Sequence, residues 1–218
     1  LNLQLAPSLA ALWWLPLAAY FLGSIPFGYL IVRLSGRGDV RHQGSGNIGA
    51  TNVARISGTF SGLLTLALDA AKGYFAVWLA AAAADGSIRW MIGAALLALI
   101  GHLFPVWLGF RGGRGVATGA GVLLPICWQA VAGAAVVFLI VVAFWRYVSL
   151  GSIAAAASLP MLVYLLYAPG HAPPPVVSVG TSAAMVLVIW RHRANIARLL
   201  DGSEPRFALG RGRKTGRA

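Results

Sequence analysis

The stretch G-V-A-T-G-A-G-V-L-L-P-I-C-W-Q-A-V-A-G-A-A-V-V-F-L-I-V-V-A-F-W, Gly115 to Trp145, decides how this chain is organised. It holds no charged residue, and as one straight helix it would be about 45 Å long, well beyond a hydrocarbon core of roughly 30 Å. Pro125 interrupts it, and Trp128 and Gln129, which suit a membrane interface, follow. The run is therefore read as a hairpin broken near Pro125 to Gln129, whose first arm, Gly115 to Leu124, is too short to cross in full. A short arm behind a glycine-rich loop is tolerable in lipid only where protein buries it or where it lines a wet cavity, so the break itself predicts a site.

Working outward, the rest of the chain has the same solvent. Of its 218 residues 59% are hydrophobic and only 10% charged, and the mean hydropathy is +0.78. Too few polar residues exist to coat a soluble domain, which makes this an all-α polytopic membrane protein. Apolar segments cover about 10–34, 60–84, 89–110, 150–168 and 176–190 besides the hairpin. Leu1 to Leu9 lack the basic start and small-residue cleavage site of a secretory signal, so the first segment is expected to be retained. The single cysteine, Cys127, lies in an apolar stretch and is expected to pack as a buried thiol.

Charge gives the segments a direction. The formal charge is +12, and the basic residues gather in a few gaps. Arg33, Arg37, Arg41 and Arg55 share one, Arg111 and Arg114 another, Arg146 stands in a third, and a basic run extends from Arg191 to Arg217. The gaps at 85–87 and 169–175 hold no Lys or Arg. With 115–145 as one span, the positive-inside bias is violated at one end or the other. With the hairpin there are seven membrane segments, the N-terminus lies outside, the C-terminus is cytoplasmic, and every basic cluster falls on the cytoplasmic face. Residues 1–207 are read as a single domain and 208–218 as a basic, disordered cytoplasmic tail on anionic lipid.

Three polar clusters share that face. In G-S-G-N-I-G-A-T-N, Gly44 to Asn52, glycines allow close backbone approach while Ser45, Asn47, Thr51 and Asn52 offer hydrogen bonds without charge. Thr51 and Arg55 share a face if that stretch is helical. Such a loop can wrap a phosphate or a sugar, or be no more than a capped turn. The second cluster, G-F-R-G-G-R-G-V-A-T, Gly109 to Thr118, fails the nucleotide-binding G-x-x-x-x-G-K-S/T pattern. Its amides at Gly112, Gly113 and Gly115 can still form an anion nest ahead of a helix starting near Val116, with Arg114 adding charge; a purely topogenic loop is the alternative. In the third, R-H-R-A-N-I-A-R-L-L, Arg191 to Leu200, His192 and Asn195 lie three apart on one helix face. Surrounding cations favour a neutral histidine, in a site or merely at an interface. Asp69 and Lys72 are expected to form an ion pair bracing the cavity, and Ser149 either joins the site or caps a helix.

These motifs, with G-S-I-P-F-G-Y (Gly23 to Tyr29), L-D-A-A-K-G (Leu68 to Gly73), G-H-L-F-P-V-W-L (Gly101 to Leu108) and R-Y-V-S-L (Arg146 to Leu150), resemble the bacterial glycerol-3-phosphate acyltransferases that use acyl phosphate, the PlsY family. The resemblance runs from about residue 20 to 207. It implies a seven-helix inner-membrane enzyme that moves a fatty acyl chain from acyl phosphate to glycerol 3-phosphate, giving lysophosphatidic acid and phosphate. It also implies a functional link to the enzyme that makes acyl phosphate. The family's site residues fall on Ser45, Thr51, Arg55, the loop Gly112 to Gly115 with Arg114, Ser149, His192 and Asn195. Ser45, Arg55, Arg114, His192 and Asn195 are therefore expected to be catalytic. Gly46, Asn47, Thr51, Asn52, Gly112, Gly113, Gly115 and Ser149 are expected to bind substrate. One departure stands out: the family usually carries lysine at the positions of Arg111 and Arg114, and a planar fork meets phosphate differently from a point charge.

An activated acyl donor asks the protein to bind phosphates, align a hydroxyl and stabilise negative charge. No H-x-x-x-x-D occurs, so the histidine-aspartate base of the acyl-CoA-type glycerol acyltransferases is missing. Five acidic residues, none clustered, argue against a divalent-metal site, and no cofactor is expected. Membrane lipid, and no nucleic acid, is the expected macromolecular environment. The competing class is a transporter or channel for a phosphate-containing anion, since broken helices with basic glycine loops also mark substrate paths; the lack of a polar gate in the outer gaps speaks against it.

Overall fold

A computed structural model describes residues 12–168 and 170–206, and their regular structure is helical apart from an isolated bridge between Ala168 and His171. The expected tail, 208–218, lies outside the described residues. The segment expected over 10–34 is one candidate span, Trp14–Leu34, with an interruption inside it. Pro26 has no amide to donate and Ile25 turns extended (φ −60°, ψ 117°), so α1 (Trp14–Ser24) ends there and α2 (Phe27–Leu34) follows. The Ile25 carbonyl, outside either helix, accepts the Lys72 ammonium at 2.7 Å.

After a loop with a single 3-10 turn at Val40–His42, α3 (Ala50–Ser57) passes through Gly58 into the long α4 (Thr59–Ala83). Helix α5 (Ile88–Leu103) returns and ends in Phe104 and Pro105, and the glycine-rich loop leads into α6 (Val116–Trp145). Helices α7 (Val148–Leu166) and α8 (Pro175–Arg191) follow. Helix α9 (Arg193–Leu200) is bent from α8 by 55°.

The core is aliphatic and tight, with Leu99, Leu103, Val122, Leu123, Val163, Val177 and Val188 all buried. The outward faces are apolar too: Phe60, Leu139, Phe144 and Trp145 are exposed, the pattern of helices solvated by lipid. Among the described residues, five segments, α1 with α2 counting as one, can cross a membrane by length and composition, and up to six if α8 and α9 count as one bent span. The break expected near Pro125 to Gln129 is present: Val116–Trp145 consists of two helices that meet at a kink where Cys127 leaves helical geometry (φ −156°, ψ 82°), two residues after Pro125. Its two parts have different neighbours, since Gly121 packs on Ala70 of α4 and Gly133 on Leu162 of α7. Cys127 is buried there.

Within the bundle Lys72 Nζ and Asp69 Oδ1 lie 2.7 Å apart, the expected ion pair, both side chains buried and His102 Nδ1 3.7 Å from the same carboxylate oxygen. The Lys72 ammonium also sits 5.7 Å from the centre of the Phe27 ring. A buried pair is tolerable only when its remaining hydrogen-bonding capacity is used, and the carbonyl freed at Pro26 supplies part of that.

Candidate active site

One cavity of about 700 Å³ collects the polar clusters. Ser45, Asn47, Thr51, Asn52 and Arg55 reach it from the 44–49 loop and α3, Arg114 and Gly115 from the loop before α6, Ser149 from the first turn of α7, and His192 and Asn195 from the junction of α8 and α9. Its apolar wall is Leu66, Val116, Phe138 and Val148. A shallower groove of about 370 Å³ lies between Pro26, Tyr29 and Trp107, but its one cation, Arg41, is already held by Asp39 at 2.7 Å. The larger cavity is the chemically equipped one.

The first loop is shaped from inside by Asn52. Its side-chain oxygen accepts the Ser45 amide at 2.9 Å, and its Nδ2 donates to the carbonyls of Asn47 at 2.9 Å and Gln43 at 3.0 Å. Only 2% exposed, Asn52 borders the cavity yet spends its hydrogen bonds on the loop, so it acts as a staple where a substrate ligand was expected. Thr51 and Arg55 do share a helix, as the spacing required. Gly46, at φ +68°, donates its amide to Gln43 and does not line the cavity.

The second loop differs from its expected form. The amide of Gly112 is bonded to the Leu103 carbonyl at 3.1 Å and that of Gly113 to the His102 carbonyl at 3.2 Å. Neither residue lines the cavity, and neither amide is free for an anion, so the nest expected across 112, 113 and 115 does not form at its first two members. The glycines serve close approach instead, because a Cβ on Gly113 would collide with the His102 ring. Gly115, left-handed at φ 84°, turns the chain into α6 and does border the cavity. Arg111 stays outside on an exposed position, and Arg114 alone brings the loop's charge inward.

Neither Arg55 nor Arg114 has a hydrogen-bond or ion-pair partner among the described residues. Burial, with Arg198, Arg55 and Arg191 nearby, pulls the Arg114 guanidinium down to about 10 against a partial counterweight from Glu204. It remains charged at neutral pH, and an anion in the cavity would relieve that strain.

At the third cluster the bend makes the chemistry. The His192 amide bonds to the Ile189 carbonyl, releasing the carbonyl of Val188, which lies 2.8 Å from His192 Nδ1. A carbonyl only accepts, so Nδ1 carries the proton and Nε2 of the neutral ring is an acceptor. Asn195 donates Nδ2 to Glu204 Oε1 at 2.7 Å, and its own oxygen is buried without a partner among the described residues. Arg198 Nε meets the other Glu204 oxygen at 2.7 Å. Burial pushes the Glu204 carboxyl up, but the hydrogen bonds from Asn195 and Arg198, with the Arg198 charge, help hold the pKa below the ordinary glutamate value.

Sequence reasoning missed several cavity residues. Glu204 had a signal, being the lone glutamate in the chain and set in its basic C-terminal run, nine positions after Asn195. His102 lay inside a quoted motif, but only the fold shows its ring beneath Gly113. Phe138 and Leu66 sit in uniformly apolar helices, where nothing local distinguishes a cavity wall from a lipid face.

Comparison with known proteins is concordant along nearly the whole chain. A family model described as glycerol-3-phosphate acyltransferase matches residues 13–202. The glycerol-3-phosphate acyltransferase of Syntrophotalea carbinolica is 49% identical over 191 residues, 88% of this chain and 95% of that protein. That of Erythrobacter litoralis is 44% identical, over 94% of this chain and 98% of its own. The crystal structure of PlsY (YgiH), an integral membrane glycerol 3-phosphate acyltransferase, superposes in its glycerol 3-phosphate form with a TM-score of 0.83 at 38% identity, covering 89% of this chain and 94% of that one. Its lysophosphatidic acid form gives 0.81 at 37% identity.

Proposed function

The chain belongs to the glycerol-3-phosphate acyltransferase family, an integral membrane enzyme of that activity, and we propose that its acyl donor is an acyl phosphate and its products lysophosphatidic acid and phosphate. The observation that carries this reading is the pair of guanidiniums, Arg55 and Arg114, unpartnered among the described residues, in one cavity with a neutral His192 whose Nδ1 is held by the Val188 carbonyl and not by a carboxylate. Two phosphates and little proton chemistry are what such a site serves.

In the proposed reaction Arg55 and Arg114 bind phosphate, and Ser45, Thr51 and Ser149 complete the polar wall. The solved relative in a lysophosphatidic acid form supports lysophosphatidic acid as the product. His192 and Asn195 position the glycerol hydroxyl in line with the acyl carbon, its proton turned toward an oxygen of the donor's own phosphate. The new C–O bond forms as the acyl–phosphate bond breaks, and the departing phosphate takes the hydroxyl proton. No metal or nucleotide is required. The acyl chain lies against Leu66, Phe138 and Val148.

The topology proposed with this reaction is seven membrane segments in the inner membrane, with the kink at Cys127 as the turn of a hairpin, the N-terminus outside and the cavity facing the cytoplasm. Different neighbours for the two parts of α6 support it, as does the gathering of Arg55, Arg114 and Arg198 at one end of the bundle. The basic tail, residues 208–218, is assigned to anionic lipid. The donor implies an acyl-phosphate-producing enzyme as functional partner. Arg55→Ala and His192→Ala are expected to abolish turnover of palmitoyl phosphate with glycerol 3-phosphate while leaving a monodisperse protein in detergent. Rates like the wild type in either variant would remove that residue from the site.

A further inference from the structure

Arg191 closes α8 one residue before His192, yet its guanidinium does not line the cavity. Its Nε donates to the Gly113 carbonyl at 3.1 Å and its Nη2 to the Gly112 carbonyl at 2.9 Å. The group also lies over the Phe104 ring, 5.4 Å from its centre. The amides of the same two glycines are taken from the other side by Leu103 and His102. The peptide between Gly112 and Gly113 is thus held at both ends of its dipole and the peptides on either side of it at one end each, and the next residue is Arg114.

Glycine peptides have the most conformational freedom to lose. If the carbonyls of Gly112 and Gly113 were released, the loop would sample many arrangements and Arg114 would have to be ordered by the substrate itself, at a cost in affinity. We propose that Arg191 is a positioning residue: by gripping the Gly112 and Gly113 carbonyls with its planar fork it presets Arg114 for a substrate phosphate, and so sets affinity for that phosphate. This rests on the reading of Arg114 as a phosphate ligand. A lysine keeps the charge at 191 but offers one nitrogen in place of two parallel donors, so Arg191→Lys separates geometry from field.

The test is a double-mutant cycle between Arg191→Ala and Arg114→Ala in purified enzyme, with KM and kcat measured for palmitoyl phosphate and for glycerol 3-phosphate. Arg191→Ala is expected to raise the same KM that Arg114→Ala raises, by about tenfold with kcat nearly unchanged, the pattern of lost uniform binding. In the Arg114→Ala background it should add almost nothing, and Arg191→Lys should recover only part of the affinity. Where turnover of Arg114→Ala is too low, the cycle is read from the glycerol 3-phosphate concentration that half-maximally raises the unfolding temperature. If Arg191→Ala does not yield folded protein, Arg191→Gln carries the cycle. An undiminished effect in the Arg114→Ala background, or full activity of Arg191→Lys, would overturn the positioning role. A silent wild-type enzyme would instead overturn the acyl-transfer reading, and the positioning role with it.

Discussion

Arg114 is a cation in a cavity, and the residues around it show how the chain keeps that arrangement folded. The counterweight is Glu204, which pairs with Arg198 and also fixes the amide of Asn195. Because its folded pKa is lowered, it contributes stability that is fully present above the unfolded value of about 4.3 and is lost as pH falls through the folded one. Thermal unfolding followed from pH 7 to pH 3 should therefore show a loss in the wild type that is smaller in Glu204→Gln, which already lacks the charge. Parallel profiles for the two proteins would show that Glu204 contributes no such linkage. At this scale residue type was legible and allegiance was not. Asn52 and Thr51 are both polar residues in a glycine-rich stretch, but only the fold shows Asn52 turned inward to staple its own loop. Gly112 and Gly113 read as an anion nest because glycine amides are free in the abstract; their capture by the end of α5 needs the tertiary position of His102 and Leu103.

Among the elements, small residues decide how closely helices approach. Gly121 of α6 meets α4 so tightly that a Cβ would collide with the Ala70 carbonyl oxygen, whereas a Cβ on Gly93 of α5 would meet nothing. Gly121→Ala is expected to cost about 1–3 kcal/mol through overpacking, and Gly93→Ala to be neutral or slightly stabilising. Unfolding temperatures in one detergent check both, and equal effects would mean that the α4–α6 contact is not tight. The boundary set by Pro125 was legible, because a missing amide acts locally: Pro125 precedes the kink at Cys127 where the two helices of α6 meet. Pro26 was passed over within a long apolar run, and the interruption it causes inside that span was not expected. The bend at His192 had no such mark, and it is this bend that frees the Val188 carbonyl to fix the imidazole.

At the scale of the whole molecule, composition settled the solvent, and the outward-facing Phe60, Leu139 and Phe144 agree with it. The gathering of three polar clusters into one cavity was legible from charge distribution, because basic residues sort to one side of a membrane and the loops that carry them must then lie near each other. The cavity's apolar wall was not, since lipid-facing and substrate-facing side chains have the same chemistry. The central claim is that this cavity transfers an acyl group from an acyl phosphate to glycerol 3-phosphate. Purified protein in detergent, given palmitoyl phosphate and glycerol 3-phosphate, should release lysophosphatidic acid and inorganic phosphate in equal amounts, and palmitoyl-CoA should not replace the donor. No release across varied pH and lipid, or equal turnover with palmitoyl-CoA, would contradict the account.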